Sequence, residues 1–183
     1  MAGIYIHIPF CKQACYYCDF HFSTSLKKKD ELLNALVKEI QLRKDELKDV
    51  EVRTIYFGGG TPSLLTNDEL QLLIDAVYQN YKVTANPEIT LEANPTSVEA
   101  GRFQGYRDAG VNRVSLGVQA LNDADLKALG RFHSVAEART AFDIARATFD
   151  RVSFDLIYAR QHQSLSDWRA ELAEALSMAA DHL

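Results

Sequence analysis

The feature that most restricts this chain is an alternation of short β-rich runs with helical stretches, repeating about every 30 residues. Runs rich in β-branched and aromatic residues at 4–8, 54–57, 88–92, 113–117 and 152–157 read as strands of the kind buried in parallel sheets. Alternating strands and helices predict right-handed βαβ units, an α/β fold with a parallel sheet or barrel, and outer helices. In such folds functional groups collect at the carboxyl ends of the strands. Cys11, the Gly58-Gly59-Gly60-Thr61-Pro62 run, Asn94-Pro95 and Gln119 follow the first four strands in turn, so the periodicity alone gathers them at one mouth.

The helices carry their own punctuation. Leu32, Leu33, Leu36, Val37, Ile40 and Leu47 keep a helical period after the first strand. Thr66 or Asn67 caps the next helix, with Asp68 and Glu69 in its first turn and Leu70, Leu73, Ile74, Val77 and Tyr81 facing inward. Ser97 is expected to cap a third helix that Gly110 ends. Ser134 with Glu137 forms a capping box before an Ala-rich helix, and a last helix is expected over about 167–180. The basic residues switch from mostly Lys to mostly Arg near 95–101. Uneven helix composition and a join of two stretches of different origin both account for that switch.

All three cysteines, Cys11, Cys15 and Cys18, lie in one C-x3-C-x2-C run. An odd, clustered set without an export signal argues for metal ligation by thiolates over a disulfide framework. Full protein ligation of an iron–sulfur cubane takes four cysteines. Three with no spare point to an open iron that takes an exogenous ligand. Zinc is the competing reading, with His21 completing a Cys3His set and His7 a second candidate. A net charge of −5 offers no case for nucleic acid or an anionic membrane surface, and Lys27-Lys28-Lys29 reads as a solvated run. No signal peptide and no apolar run of the roughly 20 residues that span a bilayer is visible, which gives a cytoplasmic reading.

The segments IYIHIPFCKQACYYCDF, IYFGGGTPS, ITLEANP, RVSLGVQ and SFDLIY, in that order, resemble one branch of the radical S-adenosylmethionine (SAM) family. That branch contains the oxygen-independent coproporphyrinogen III oxidases and the HemW-type heme chaperones. The resemblance implies a radical SAM (β/α)6 barrel in which Cys11, Cys15 and Cys18 hold a [4Fe–4S] cluster and SAM occupies the open iron. It also implies that Gly59, Gly60 and Thr61 meet the methionine part of SAM, that Tyr5 and Tyr17 line its site, and that Glu92, Gln119, Arg131 and Asp155 contact it. The residues keep plainer readings open. Tyr5 could be an ordinary strand aromatic, Arg131 a solvated side chain after Gly130, and His7 a satisfied core histidine. His133 and His162 read as surface or loop residues. Glu92 and Asp155 lie inside apolar strand patterns, where an unpartnered carboxylate is costly, so a bound partner is favoured.

Two departures refine the resemblance. The oxidases carry a further cysteine two positions after the third ligand, where this chain has Phe20. That points to the HemW type, implying heme and a heme acceptor as partners, together with an electron donor; no catalytic residue is assigned. Ala159-Arg160-Gln161 stands where many relatives have Gly-Leu-Pro. A radical SAM core has six βα units, whereas five strands are read here. Residues 1–183 are therefore expected to form a partial barrel with its last unit missing and without the family's C-terminal domain, in which heme would be bound. An unpaired sheet edge predicts a less stable, more aggregation-prone chain than a full-length relative.

Overall fold

The computed structural model describes residues 1–178, 182 and 183. Its strands are β1 Ala2–Ile8, β2 Val52–Gly59, β3 Val83–Ala93, β4 Arg113–Gln119 and β5 Arg151–Leu156. They form one parallel sheet in the order β1-β2-β3-β4-β5, so each strand lies beside the one before it. The register sets Ile8 opposite Gly59, Phe57 opposite Leu91 and Leu116 opposite Phe154. The helices are α1 Lys29–Leu42, α2 Asn67–Asn80, α3 Ser97–Ala100, α4 Phe103–Asp108, α5 Asp123–Ala128, α6 Val135–Thr148 and α7 Leu165–Met178. This is the α/β architecture of a partial radical SAM barrel, with all five expected strands present.

The sheet is one-sided. Ile6, Ile8, Ile55, Phe57, Ile89, Leu91, Val114, Leu116, Val152 and Phe154 form the buried core. The apolar faces of the helices pack with them, through Leu33 and Ile40 of α1, Leu70, Leu73, Ile74 and Val77 of α2, and Ala141 and Phe142 of α6. Each fully buried large apolar side chain contributes about 1.5–3 kcal/mol relative to exposure. The alternate positions point the other way and are largely polar: Tyr5, His7, Tyr56, Glu92, Arg113, Ser115, Gln119, Ser153 and Asp155. Strands buried on both faces would have been apolar throughout. His7 is therefore exposed on the open face, and the core-histidine reading is corrected.

The helix ends follow the punctuation closely. Thr66 with Glu69 and Ser134 with Glu137 each form a capping box. The third helix is the exception, because it splits into α3 and α4, and Gly110 closes α4 at a φ of 103°. Thr96 Oγ1 accepts from the Glu99 amide at 3.3 Å at its start, while the expected cap, the Ser97 side chain, lies outside the described residues. The last helix ends at Met178 as described, and 179–180 of its expected span lie outside the described residues. Beyond them His182 makes an isolated parallel bridge to Ser153 of β5.

The loop after β5 carries the departure noted at Ala159. Ala159 takes a φ of 56°, a left-handed conformation that glycine adopts without strain. Arg160 anchors this loop. Its side chain is 6% exposed and pairs with Asp125 at 2.8 Å and Glu171 at 2.7 Å. Glu171 also accepts from the Leu121 amide at 2.7 Å, which ties α7 to the end of β4.

Candidate functional site

The carboxyl ends of the strands surround an open cavity of about 260 Å³. Cys11, Cys15, Cys18, Tyr17, Gly59, Gly60, Thr61, Glu92, Gln119, Arg131 and Asp155 all line it. Tyr5 is the expected site residue outside that lining. It is 58% exposed, stacks on Tyr56 with ring centroids 5.9 Å apart, and lies 3.4 Å from His7 Nδ1 through its hydroxyl.

Backbone bonds fix the cysteine loop at both sides. The Cys11 amide donates to Ser23 O at 3.0 Å and the Ser23 amide to Pro9 O at 2.7 Å, while the Thr61 amide donates to Phe10 O at 2.7 Å. On the far side the Tyr16 amide reaches Leu129 O at 3.2 Å, and Gln13 Nε2 donates to Gly130 O at 2.6 Å. Gly60 makes the closest approach. A Cβ there would lie 2.6 Å from Phe10 O and 3.0 Å from Cys11 Sγ. Gly59 has a φ of 109°, and a Cβ on it would strike the His7 ring at 2.5 Å. The glycines thus let two loops close on the first cysteine, which no larger residue permits.

Burial pushes the Cys11 thiol above its ordinary range, against a lowering hydrogen bond from Thr61; Cys18 and Cys15 add to the rise. A bound metal reverses that preference, because it favours the thiolate outright. Among the described residues no three His, Cys, Asp or Glu side chains converge on a single ion. A cubane, by contrast, takes each thiolate on a separate iron.

Arg131 is the hub of the polar wall. One terminal nitrogen contacts Cys15 Sγ at 3.5 Å and the Tyr17 hydroxyl at 3.4 Å. The other donates to Asn94 Oδ1 at 2.5 Å and Gly117 O at 2.9 Å, and its Nε is buried without a partner. A buried donor left in that state is costly and marks a place where a ligand group can be accepted. The solvated reading of Arg131 is therefore corrected. Burial pushes the Tyr17 hydroxyl up to about 12, opposed by Arg131 and reinforced by Cys15.

The carboxylates differ in their surroundings. Glu92 accepts from the Tyr56 hydroxyl at 2.8 Å and the Gly59 amide at 3.2 Å, so its partners come from within the chain. Burial raises its pKa, those two bonds lower it, and the nearby Asp155 raises it again. Asp155 is raised by burial and lowered by Arg113. Burial penalises the charge on these two neighbouring carboxylates, and a ligand that brings ammonium or hydroxyl donors to them offsets that penalty. Gln119 ends β4 with a φ of 70°, and the Ala120 amide returns to Val118 O at 2.9 Å. Non-glycine residues in that region cost energy and cluster at functional sites.

Several cavity-lining residues were not expected from the sequence. Glu99, Lys12 and Thr96 join the network there beside Asn94, which the periodicity had already placed at this mouth. His133 is 4% exposed, and Nε2 lies 3.0 Å from Val118 O, so the surface reading of His133 is corrected. Burial first, then Arg131, lowers its pKa to about 4. His162 is exposed, with a φ of 64°.

A parallel βα sheet whose cysteine-bearing first loop faces a glycine-lined cavity defines a class, and the comparisons agree. The model of the Radical SAM superfamily matches residues 5–174, and the chain belongs to that superfamily. Within it the chain is similar to heme chaperone HemW of Escherichia coli, at 41% identity over 99% of this chain and 49% of that protein. Heme chaperone HemW of Haemophilus influenzae is 37% identical over the same shares. The chain therefore spans about half the length of the curated relatives it matches. Among solved structures it resembles coproporphyrinogen III oxidase (HemN) from Escherichia coli, described as a radical SAM enzyme. That match has a TM-score of 0.86 and 28% identity, covering 98% of this chain and 42% of the other. No helix among the described residues is long and apolar enough to cross a membrane.

Proposed function

We propose that residues 1–183 are part of the core domain of a HemW-like radical SAM protein in which Cys11, Cys15 and Cys18 hold a [4Fe–4S] cluster with one iron open to SAM. The observation that carries this reading is the gathering of the three thiols, the Gly59-Gly60-Thr61 turn, Glu92, Gln119, Arg131 and Asp155 around one cavity. The donor set fits. A thiol set one short of full ligation leaves an iron open, and the buried Nε of Arg131 is a ready partner for a ligand carboxylate. When bound, the cluster supplies the electron that cleaves SAM reductively to methionine and a 5′-deoxyadenosyl radical.

The chain's own residues bind and orient. Glu92 and Asp155 accept hydrogen bonds from ammonium or hydroxyl groups of the ligand, while Arg131 holds an anionic end beside Cys15. Tyr17 stays protonated at neutral pH and offers a hydroxyl at the same wall. Tyr5 acts from a second layer, through Tyr56, on the position of Glu92. The whole protein is read as a cytoplasmic heme chaperone that passes heme to an acceptor and draws electrons from a donor protein. Phe20, which lines the cavity where the oxidases carry cysteine, favours that reading over coproporphyrinogen oxidation.

The test is anaerobic reconstitution with iron and sulfide, followed by EPR of the reduced protein with and without SAM. The expected result is a [4Fe–4S]+ signal that changes on adding SAM and is absent in Cys15→Ala. One tightly bound zinc and no cluster would overturn the reading. In a full-length relative, heme binding without decarboxylation of coproporphyrinogen separates the chaperone from the oxidase.

A further inference from the structure

The least exposed charged side chain at the cavity is a carboxylate to which no cofactor contact has been ascribed. Glu99, at the third position of α3, is 0% exposed. Its Oε2 accepts from the Ser63 hydroxyl at 2.5 Å and from the Asn94 amide at 2.7 Å. Its Oε1 lies 3.4 Å from Lys12 Nζ, and Lys12 is 42% exposed at the cavity. Ser63 belongs to the turn after the glycine run, Asn94 ends β3, and Lys12 follows the first cysteine directly. One side chain therefore ties together the three loops from which the site is built.

The tie continues in both directions. Behind it the Tyr106 hydroxyl donates to Ser63 O at 2.7 Å and anchors the turn to α4. In front of it the Asn94 side chain receives Arg131, which reaches Cys15 Sγ at 3.5 Å. A buried carboxylate is tolerated only when its acceptor sites are filled, and removing one partner leaves the others uncompensated. Such a network is rigid when complete, and it transmits a defect to every loop it joins.

Resting on the function proposed above, we infer that Glu99 is a positioning residue for the cluster site: through Lys12 it sets Cys11, and through Asn94 and Arg131 it sets Cys15, whose carbonyl accepts from the Cys18 amide at 3.2 Å, so that Cys18 lies off the Lys12 arm. Glu99→Gln keeps an acceptor for Ser63 and Asn94 but turns an amide NH2 toward the Lys12 ammonium, so it breaks the Lys12 arm selectively. Lys12→Met breaks the same arm from its exposed end with little risk to folding.

Two measurements on the full 183-residue chain test the inference. In metal-free protein, alkylation by iodoacetamide is followed cysteine by cysteine with mass spectrometry, using Cys18 as the internal reference. Glu99→Gln and Lys12→Met are each expected to speed Cys11 labelling about tenfold relative to Cys18, the scale of a lost hydrogen bond to a charged group. The double variant is expected to be no faster than either single one. In reconstituted protein, both variants are expected to shift the midpoint potential of the cluster and alter the EPR change on adding SAM. A residue that only stabilises the fold would lower the melting temperature and leave both readouts alone. Labelling ratios equal to wild type in both variants overturn the inference, and so does additivity in the double variant. If wild type takes up no cluster but the labelling ratios move as expected, the tie stands and the proposed function falls.

Discussion

The two faces of the sheet are built from the same strands by opposite rules. On the helix-covered face Phe57, Leu91, Leu116 and Phe154 are fully buried and interchangeable in kind, since any well-packed apolar side chain of similar volume serves there. On the open face Tyr56, Glu92, Arg113, Ser115, Gln119 and Asp155 are each tied to a particular partner or aimed at the cavity. The first face supplies stability without specificity. The second gives up stability, since it holds raised carboxylates, a strained Gln119 and an orphaned Arg131 nitrogen near one another.

The contrast can be broken most forcefully on the apolar side. Phe57→Ala should cost about 3–5 kcal/mol, enough to unfold much of a marginal domain, and chemical denaturation would read it. A loss under 1 kcal/mol would mean that the core is not packed as described. The next effect lies at the seam between the faces. His133 is held at about 4, below the ordinary 6.5 of an unfolded chain, so the unfolded state binds the extra proton first. Its contribution is fully present above pH 6.5 and falls away between pH 6.5 and 4, by up to about 3 kcal/mol. Stability measured across that window should fall less steeply in His133→Gln. An unchanged slope would show that His133 is not buried neutral.

The smallest effect sharpens the comparison from the polar side. Asp155 has a raised pKa, so its charged form is disfavoured in the folded chain and stability is gained as pH falls through the folded value. Asp155→Asn should raise the ligand-free melting temperature slightly at pH 7 and weaken SAM binding measured by calorimetry. A variant less stable than wild type would mean that Arg113 holds Asp155 more firmly than burial opposes it.

The comparison also explains what could be read from the sequence. Strand positions, the cap at Thr66, the capping box at Ser134, and the gathering of Cys11, Gly59 and Gln119 all rest on local patterns, and local patterns survive folding. The one-sided sheet was harder to see. Thr, Ser and Tyr suit strands by propensity whether they face a core or a cavity, so β-propensity hid the polar face. Arg131 lines the cavity as the resemblance implied, whereas His133, read as a surface or loop residue, sits in the loop after α5 but is buried there. The burial of both depends on the end of β4 passing beside them, through Val118 O and Gly117 O. Glu99 gave no signal at all. Its partners lie 87, 36 and 5 residues away, and no periodicity connects them.

The strand order has a consequence for how the molecule is made. Because β1 to β5 neighbour one another in the order of synthesis, each strand emerging from the ribosome finds its pairing partner already in place, and closing each step requires only the loop and helix just made. At every stage the newest strand leaves one edge of the sheet open, and His182 bridges Ser153 on β5. The binding site inherits the same schedule. Cys11 is made first, but Gly60 closes on it only after β2 pairs, and Arg131 reaches Cys15 only once β4 and the loop after α5 are in place. The thiols are thus the oldest part of the site and the last to be fully enclosed, so for much of its synthesis the nascent chain presents three uncovered thiols to its surroundings.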